Sequence, residues 1–235
     1  MIPIRDDQPR FSTPYLTYFL IALNLVIFFL EWSLEVSDPA SLKTLIYQFG
    51  VVPSHVTAVL SSSPKYSLPE VTLPFITSMF LHGSWMHVIG NMWFLSIFGD
   101  NVEDYLGHFK YLLFYLLAGF IATATQVLIY PDSHLPTVGA SGAIAGVLGA
   151  YFVLYPRARV LIWFPLIFFF YLPAWLTLGY WFALNFLSGA ATSIAYTSQT
   201  GGGVAFWAHV GGFVAGIVLI KLFPERPRRM RYGTW

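Results

Sequence analysis

The chain has no cysteine, which excludes disulfides, thiolate-ligated zinc and thiol catalysis. It is also poor in charge: only 10% of its residues are Asp, Glu, Lys or Arg, and 12 basic against 11 acidic side chains leave a net charge of +1. That balance argues against a nucleic-acid or strongly acidic partner. No His-Glu-x-x-His helix is present for a membrane metalloprotease, and the apolar runs hold no paired aspartates for an aspartyl one. Neither metal nor cofactor is expected. What the 235 residues do have is 57% hydrophobic and 19% aromatic content, with a mean hydropathy of +0.65. Such values are far from a soluble average and mark a polytopic membrane protein.

A membrane span needs about 20 apolar residues, fewer if the helix is short and enclosed by protein. Six candidates emerge, at 15–32, 84–99, 109–130, 141–155, 168–187 and 206–222, so the expected fold is all-α. The first has no clear cleavage site and reads as a retained span. Residues 1–14 form a polar N-terminal segment, 15–222 the six-span domain and 223–235 a basic tail, with no soluble domain to assign. The stretch 33–83 is apolar enough to lie in the interface, and 188–205, rich in Gly, Ser and Thr, reads as a flexible loop. With six spans both termini share a side. That side collects Arg5, Arg10, Lys110, Arg157, Arg159, Lys221, Arg226, Arg228, Arg229 and Arg231, against Lys43 and Lys65 opposite. The positive-inside rule makes both termini cytoplasmic.

Polar groups inside a membrane are costly, and by default they mark function. Ser141 opens span four, His209 sits in the first turn of span six, and His87 and Asn91 lie one turn apart early in span two. These three spans run the same way, so the four residues reach similar depth near the outer surface. The chemistry they support is acyl transfer: Ser141 as nucleophile, His209 as the base that takes its proton, and the Ser141 N–H with His87 and Asn91 as donors to the oxyanion. No carboxylate lies near enough in the pattern to complete a triad, so a dyad is expected. Span four also carries Gly142, Gly146 and Gly149, each costing about 1 kcal/mol against Ala in an isolated helix. Together with Gly212 and Gly216 on span six they make small-residue stripes that let two backbones approach closely.

Three stretches, "FLHGSWMHVIGNMWFLSIFGDNVEDYLGH" (80–108), "GASGAIAGVLGAY" (139–151, opening on Gly139) and "AHVGGFVAG" (208–216), resemble the rhomboid family of intramembrane serine proteases, in family order. The resemblance implies a compact six-helix bundle with a short fourth helix below a water-filled cavity. It implies a Ser141–His209 dyad with His87 and Asn91 at the oxyanion, a structural role for His82, and a gate made by 188–205 with span five. Substrates would be single-span membrane proteins cut near the outer surface. The position four after the serine, commonly Tyr or Phe stacked on the base in this family, is Ala145 here. Either another ring, Trp207 or Trp85, positions His209 instead, or its orientation is looser.

Other readings compete. A transporter or proton channel can use His87, Asn91 and His209 as a relay, but it gives Ser141 no reason to open a helix. A catalytically inactive rhomboid-like protein that binds membrane clients is the stronger rival, although its usual signature is loss of the serine or histidine. His55, His108 and His134 fall in loops or at span ends, where interfacial or solvated roles are expected. Asn101, Glu103 and Asp104 are expected to tie the cytoplasmic end of span two, and the basic tail to meet anionic lipid. Six spans with no appended domain point to a bacterial inner membrane.

Overall fold

The computed structural model describes residues 1–61, 65–164, 168–195 and 205–226, with the side chains of 194 and 195 left aside. The chain opens on strand β1 (Ile2–Asp6), followed by helix α1 (Tyr15–Ser37) and four short helices, α2 (Pro39–Phe49), α3 (Pro53–Leu60), α4 (Leu68–Thr72) and α5 (Pro74–Thr77). Then come α6 (Trp85–Leu106), α7 (His108–Ile129) and α8 (Ser141–Leu154), the strands β2 (Arg159–Phe164) and β3 (Phe168–Pro173), and finally α9 (Ala174–Ala195) and α10 (Phe206–Leu222). Among the described residues, α1 and α7 are long and apolar enough to cross a membrane, while α8 and α10 are apolar but shorter. At 14 residues α8 is about 21 Å long, less than the roughly 30 Å of a hydrocarbon core.

α8 is the central element. Every residue from Gly142 to Tyr151 is buried, and the helix packs against α6, α7, α9 and α10. Glycine makes the tightest of these contacts. A Cβ on Gly212 or Gly216 would collide with the carbonyl of Gly142 or Gly146, and one on Gly149 with the backbone of Phe213. On the other side of α8, Gly142 and Gly146 face Ala122 and Ala118 of α7. Around this seam lie large buried rings, including Phe98, Tyr111, Phe114, Tyr115 and Tyr151.

α1 has no side-chain cap of its own; it is capped from α6. Glu103, fully buried, accepts the backbone N–H groups of Leu16 and Thr17 at 2.9 and 2.7 Å and bonds the Thr17 hydroxyl at 2.7 Å and the His108 imidazole at 2.5 Å. Asp104 accepts from Phe11 N and Ser12, and Asn101 donates to the Gln8 carbonyl. These three residues thus tie the start of the chain to the C-terminal end of α6.

The all-α expectation needs correction. β1, β2 and β3 form an antiparallel sheet in that order, with Ile2 opposite Trp163 and Ile162 opposite Phe170. Residues 168–173, expected to begin span five, are strand, and the helix starts at Ala174. A short apolar run such as "FFFYLP" has no period to separate strand from helix, and its aromatic residues favour the strand. The sheet buries Val160 and Ile162 on one face. Asp6, on β1, accepts a hydrogen bond from the Tyr151 hydroxyl of α8, and burial pushes its carboxyl up to about 6. Asp7 pairs with Arg159 at 2.7 Å, and that bond holds its carboxyl below the usual range. Of the expected loop 188–205, residues through Ala195 belong to α9; 196–204 lie outside the described residues, as do the tail residues Arg228, Arg229 and Arg231.

Candidate active site

Ser141 is the first residue of α8, so its N–H is one of the first-turn groups the helix itself leaves unbonded. The chain reaches it through Gly139, whose φ of +125° lies where a side chain is strained. The Gly139 N–H donates to Ser78 O at 2.8 Å. A Cβ at this glycine would also fall 2.7 Å from the imidazole of His87, so both the turn and the close approach of that ring require glycine.

His209 Nε2 lies 2.7 Å from Ser141 Oγ. Its Nδ1 lies 2.7 Å from Asn185 Oδ1, and the Asn185 amide nitrogen donates to Trp181 O at 2.8 Å. The Trp181 ring itself packs against His209, with centroids 5.7 Å apart and planes tilted by 37°. Both His209 and Asn185 are only 9% exposed.

On α6, Ser84 caps the helix by accepting the His87 N–H. Asn91, one turn beyond His87, is buried and donates through its amide to His82 Nε2 at 3.0 Å. His82 is held in turn by its backbone N–H, which lies 3.1 and 3.2 Å from the two carboxylate oxygens of Glu31, a buried acid of α1. The rings of His82 and His87 meet edge to face at 5.1 Å. Ser141, His209, His87 and Asn91 all line one cavity of about 920 Å³, whose wall also includes Trp181, Gln126 and Tyr130. The cavity thus sets a hydroxyl, two imidazoles and an amide around open space.

Two functional candidates escaped the sequence. Asn185 is a lone amide in the apolar run "YWFALNFL", and the cost of polar groups in lipid was a signal that flags it. Nothing in one dimension set it opposite His209. The ring beside His209 is Trp181, not Trp207 or Trp85: Trp207 meets Phe186 and donates to Ser193, while Trp85 packs on Phe28, Phe29 and Trp32. His55 stacks on Tyr66, and His134 bonds Ser54. Among the described residues no three His, Asp or Glu side chains are grouped to hold a metal.

The Rhomboid domain family matches residues 69–226, a range that includes Ser141, His209, His87, Asn91 and Asn185. The chain is 30% identical over 231 residues to the Saccharomyces cerevisiae protein Rhomboid protein 1, mitochondrial, covering 94% of this chain and 58% of that protein. It is 32% identical over 153 residues to Rhomboid-like protein 11, chloroplastic, of Arabidopsis thaliana, covering 63% and 51%. With the Homo sapiens Presenilin-associated rhomboid-like protein, mitochondrial, it shares 28% identity over 206 residues, covering 84% and 45%. The chain thus spans about half the length of these relatives. Their names are organellar, and they lend no support to a bacterial inner membrane. The domain match and a similarity running over 94% of this chain agree with the apolar helices: this membrane protein belongs to the rhomboid family.

Proposed function

We propose that the chain is an intramembrane serine endopeptidase that hydrolyses peptide bonds of single-span membrane proteins near the outer membrane surface. The 2.7 Å contact between Ser141 Oγ and His209 Nε2 on the wall of a large cavity is the observation that carries this reading. In it, 15–222 forms six spans, with 1–14 and 223–235 on the cytoplasmic side. α1 and α7 cross alone by length, and α8 needs only to reach part-way because protein surrounds it.

The geometry supports the following reaction. Ser141 Oγ attacks the scissile carbonyl carbon as His209 Nε2 takes the hydroxyl proton. The oxyanion meets the Ser141 N–H, His87 and Asn91, donors that act on charge present only in the transition state. The imidazolium then gives its proton to the departing amine, and water, activated by the same nitrogen, releases the acyl group. Gly212 and Gly216 serve the chemistry indirectly, since a side chain on either would part α10 from α8 and with it His209 from Ser141.

The test is cleavage of a single-span substrate in proteoliposomes. Ser141→Ala and His209→Ala should each abolish cleavage while the melting temperature stays close to wild type, and a fluorophosphonate should label wild type at Ser141 and leave Ser141→Ala unlabelled. An unlabelled, inactive wild-type protein would instead favour the inactive client-binding reading.

A further inference from the structure

We infer that Asn185 completes a Ser141–His209–Asn185 triad, acting as the positioning residue that sets the tautomer and orientation of the base. The inference rests on the protease reading for its role and on the hydrogen bonds of α9 for its geometry.

Asn185 is asymmetric: one end of its amide donates and the other only accepts. The nitrogen is already committed to Trp181 O, one turn earlier on α9, at 2.8 Å. Turning the amide over would set its oxygen against that carbonyl, acceptor against acceptor, in a site that is 9% exposed. Hence Oδ1 faces His209. An oxygen 2.7 Å from Nδ1 with no hydrogen to give requires the ring nitrogen to carry the proton. A neutral imidazole has one N–H, so Nε2 keeps its lone pair, and Ser141 Oγ at 2.7 Å must donate to it. The amide on α9 therefore selects the one tautomer of His209 able to act as the base.

When Nε2 takes the serine proton, Nδ1 keeps its own, and the ring becomes cationic against the negative end of the Asn185 dipole. No proton passes to the amide. A Cys-His-Asn arrangement uses an amide in this way in unrelated folds. The Trp181 ring limits rotation about the Cα–Cβ and Cβ–Cγ bonds of His209 from the same helix. α9 thus supplies both restraints on the base at a site where Ala145, fully buried on α8, offers no ring.

Two measurements on the purified full chain test this. Nitrogen-15 NMR of ring-labelled histidine, with the His209 signals assigned by their loss in His209→Gln, should show wild-type His209 protonated at Nδ1. Asn185→Ala should shift it toward the Nε2–H form. In the same variant kcat for a single-span substrate should fall by about ten- to a thousandfold with KM unchanged. A wild-type Nε2–H tautomer overturns the inference without any variant, as does an Asn185→Ala protein with wild-type kcat. If wild type neither cleaves nor accepts a fluorophosphonate, the protease reading fails, while the NMR tautomer still decides whether Asn185 orients His209.

Discussion

Gly212→Ala puts the α8–α10 seam under the smallest available load, one methyl group. The added carbon would overlap the Gly142 carbonyl oxygen, with Gly142 C at 3.1 Å and the Ala145 methyl at 3.2 Å. A backbone carbonyl in a helix cannot swing aside as a side chain does, so the helices must part by about 1 Å. Overpacking of this kind costs about 1–3 kcal/mol, and the rigid neighbour favours the upper half of that range. Alanine recovers about 1 kcal/mol in helix propensity, but chains unfolded in lipid keep much of their helix, so little of that gain is realised. A net loss of roughly 2 kcal/mol should lower the melting temperature by about 4–8 °C for a chain of this length. The larger effect is on chemistry. Gly142 adjoins Ser141 and Gly212 lies one turn beyond His209, so a 1 Å separation stretches the 2.7 Å Oγ–Nε2 bond past hydrogen-bonding range. A misplacement of that size costs about a hundredfold in turnover. The assay is thermal unfolding in detergent beside turnover in proteoliposomes, with Gly179→Ala as control, because a methyl there would meet only Phe152 at 3.9 Å. A Gly212→Ala protein with the melting temperature and turnover of wild type would refute the close-approach argument.

Glu103→Ala removes the acceptor for two first-turn N–H groups of α1 and for the Thr17 hydroxyl; it should destabilise the chain by at least about 2 kcal/mol, read as a drop in melting temperature, with Glu103→Gln losing less. The pH dependence of stability should carry the mark of Asp6. Its folded value of about 6 lies above its ordinary 3.8, so between these values the folded chain holds the proton more tightly than the unfolded one, and stability falls as pH rises from about 4 through about 6. Asp6→Asn should abolish that component, and the advantage of wild type over the variant at acid pH should shrink toward pH 7. A difference in melting temperature that stays constant across the range would show that Asp6 is not held in a burying environment.

Much of this site was legible because lipid penalises polar groups one residue at a time. Ser141, His209, His87 and Asn91 stood out of apolar runs without any knowledge of neighbours, and the packed helices bring them to one cavity. The glycines of α8 and α10 were legible for a related reason: a helix made of residues that pack so little needs a partner at close range. Glu31 and His82 carry no sign of each other in the sequence, one lying near the end of the first apolar run and the other just before α6. Their link through the His82 N–H, and onward to Asn91, exists only once α1 and α6 are packed side by side.

The apolar runs, the basic asymmetry and the polar residues within those runs were set by the sequence alone, because hydropathy and charge act locally and need no partner to be counted. Tertiary structure decided what depends on two segments meeting. β1 pairs with β2 across more than 150 residues, and β2 pairs in turn with β3, the part of the apolar run that became strand, so that α9 starts only at Ala174. The same helix turned Trp181 and Asn185, one turn apart on a shared face, toward His209. Hydrogen bonds and ring contacts are fixed at distances of a few ångströms, and only the packed backbone sets those.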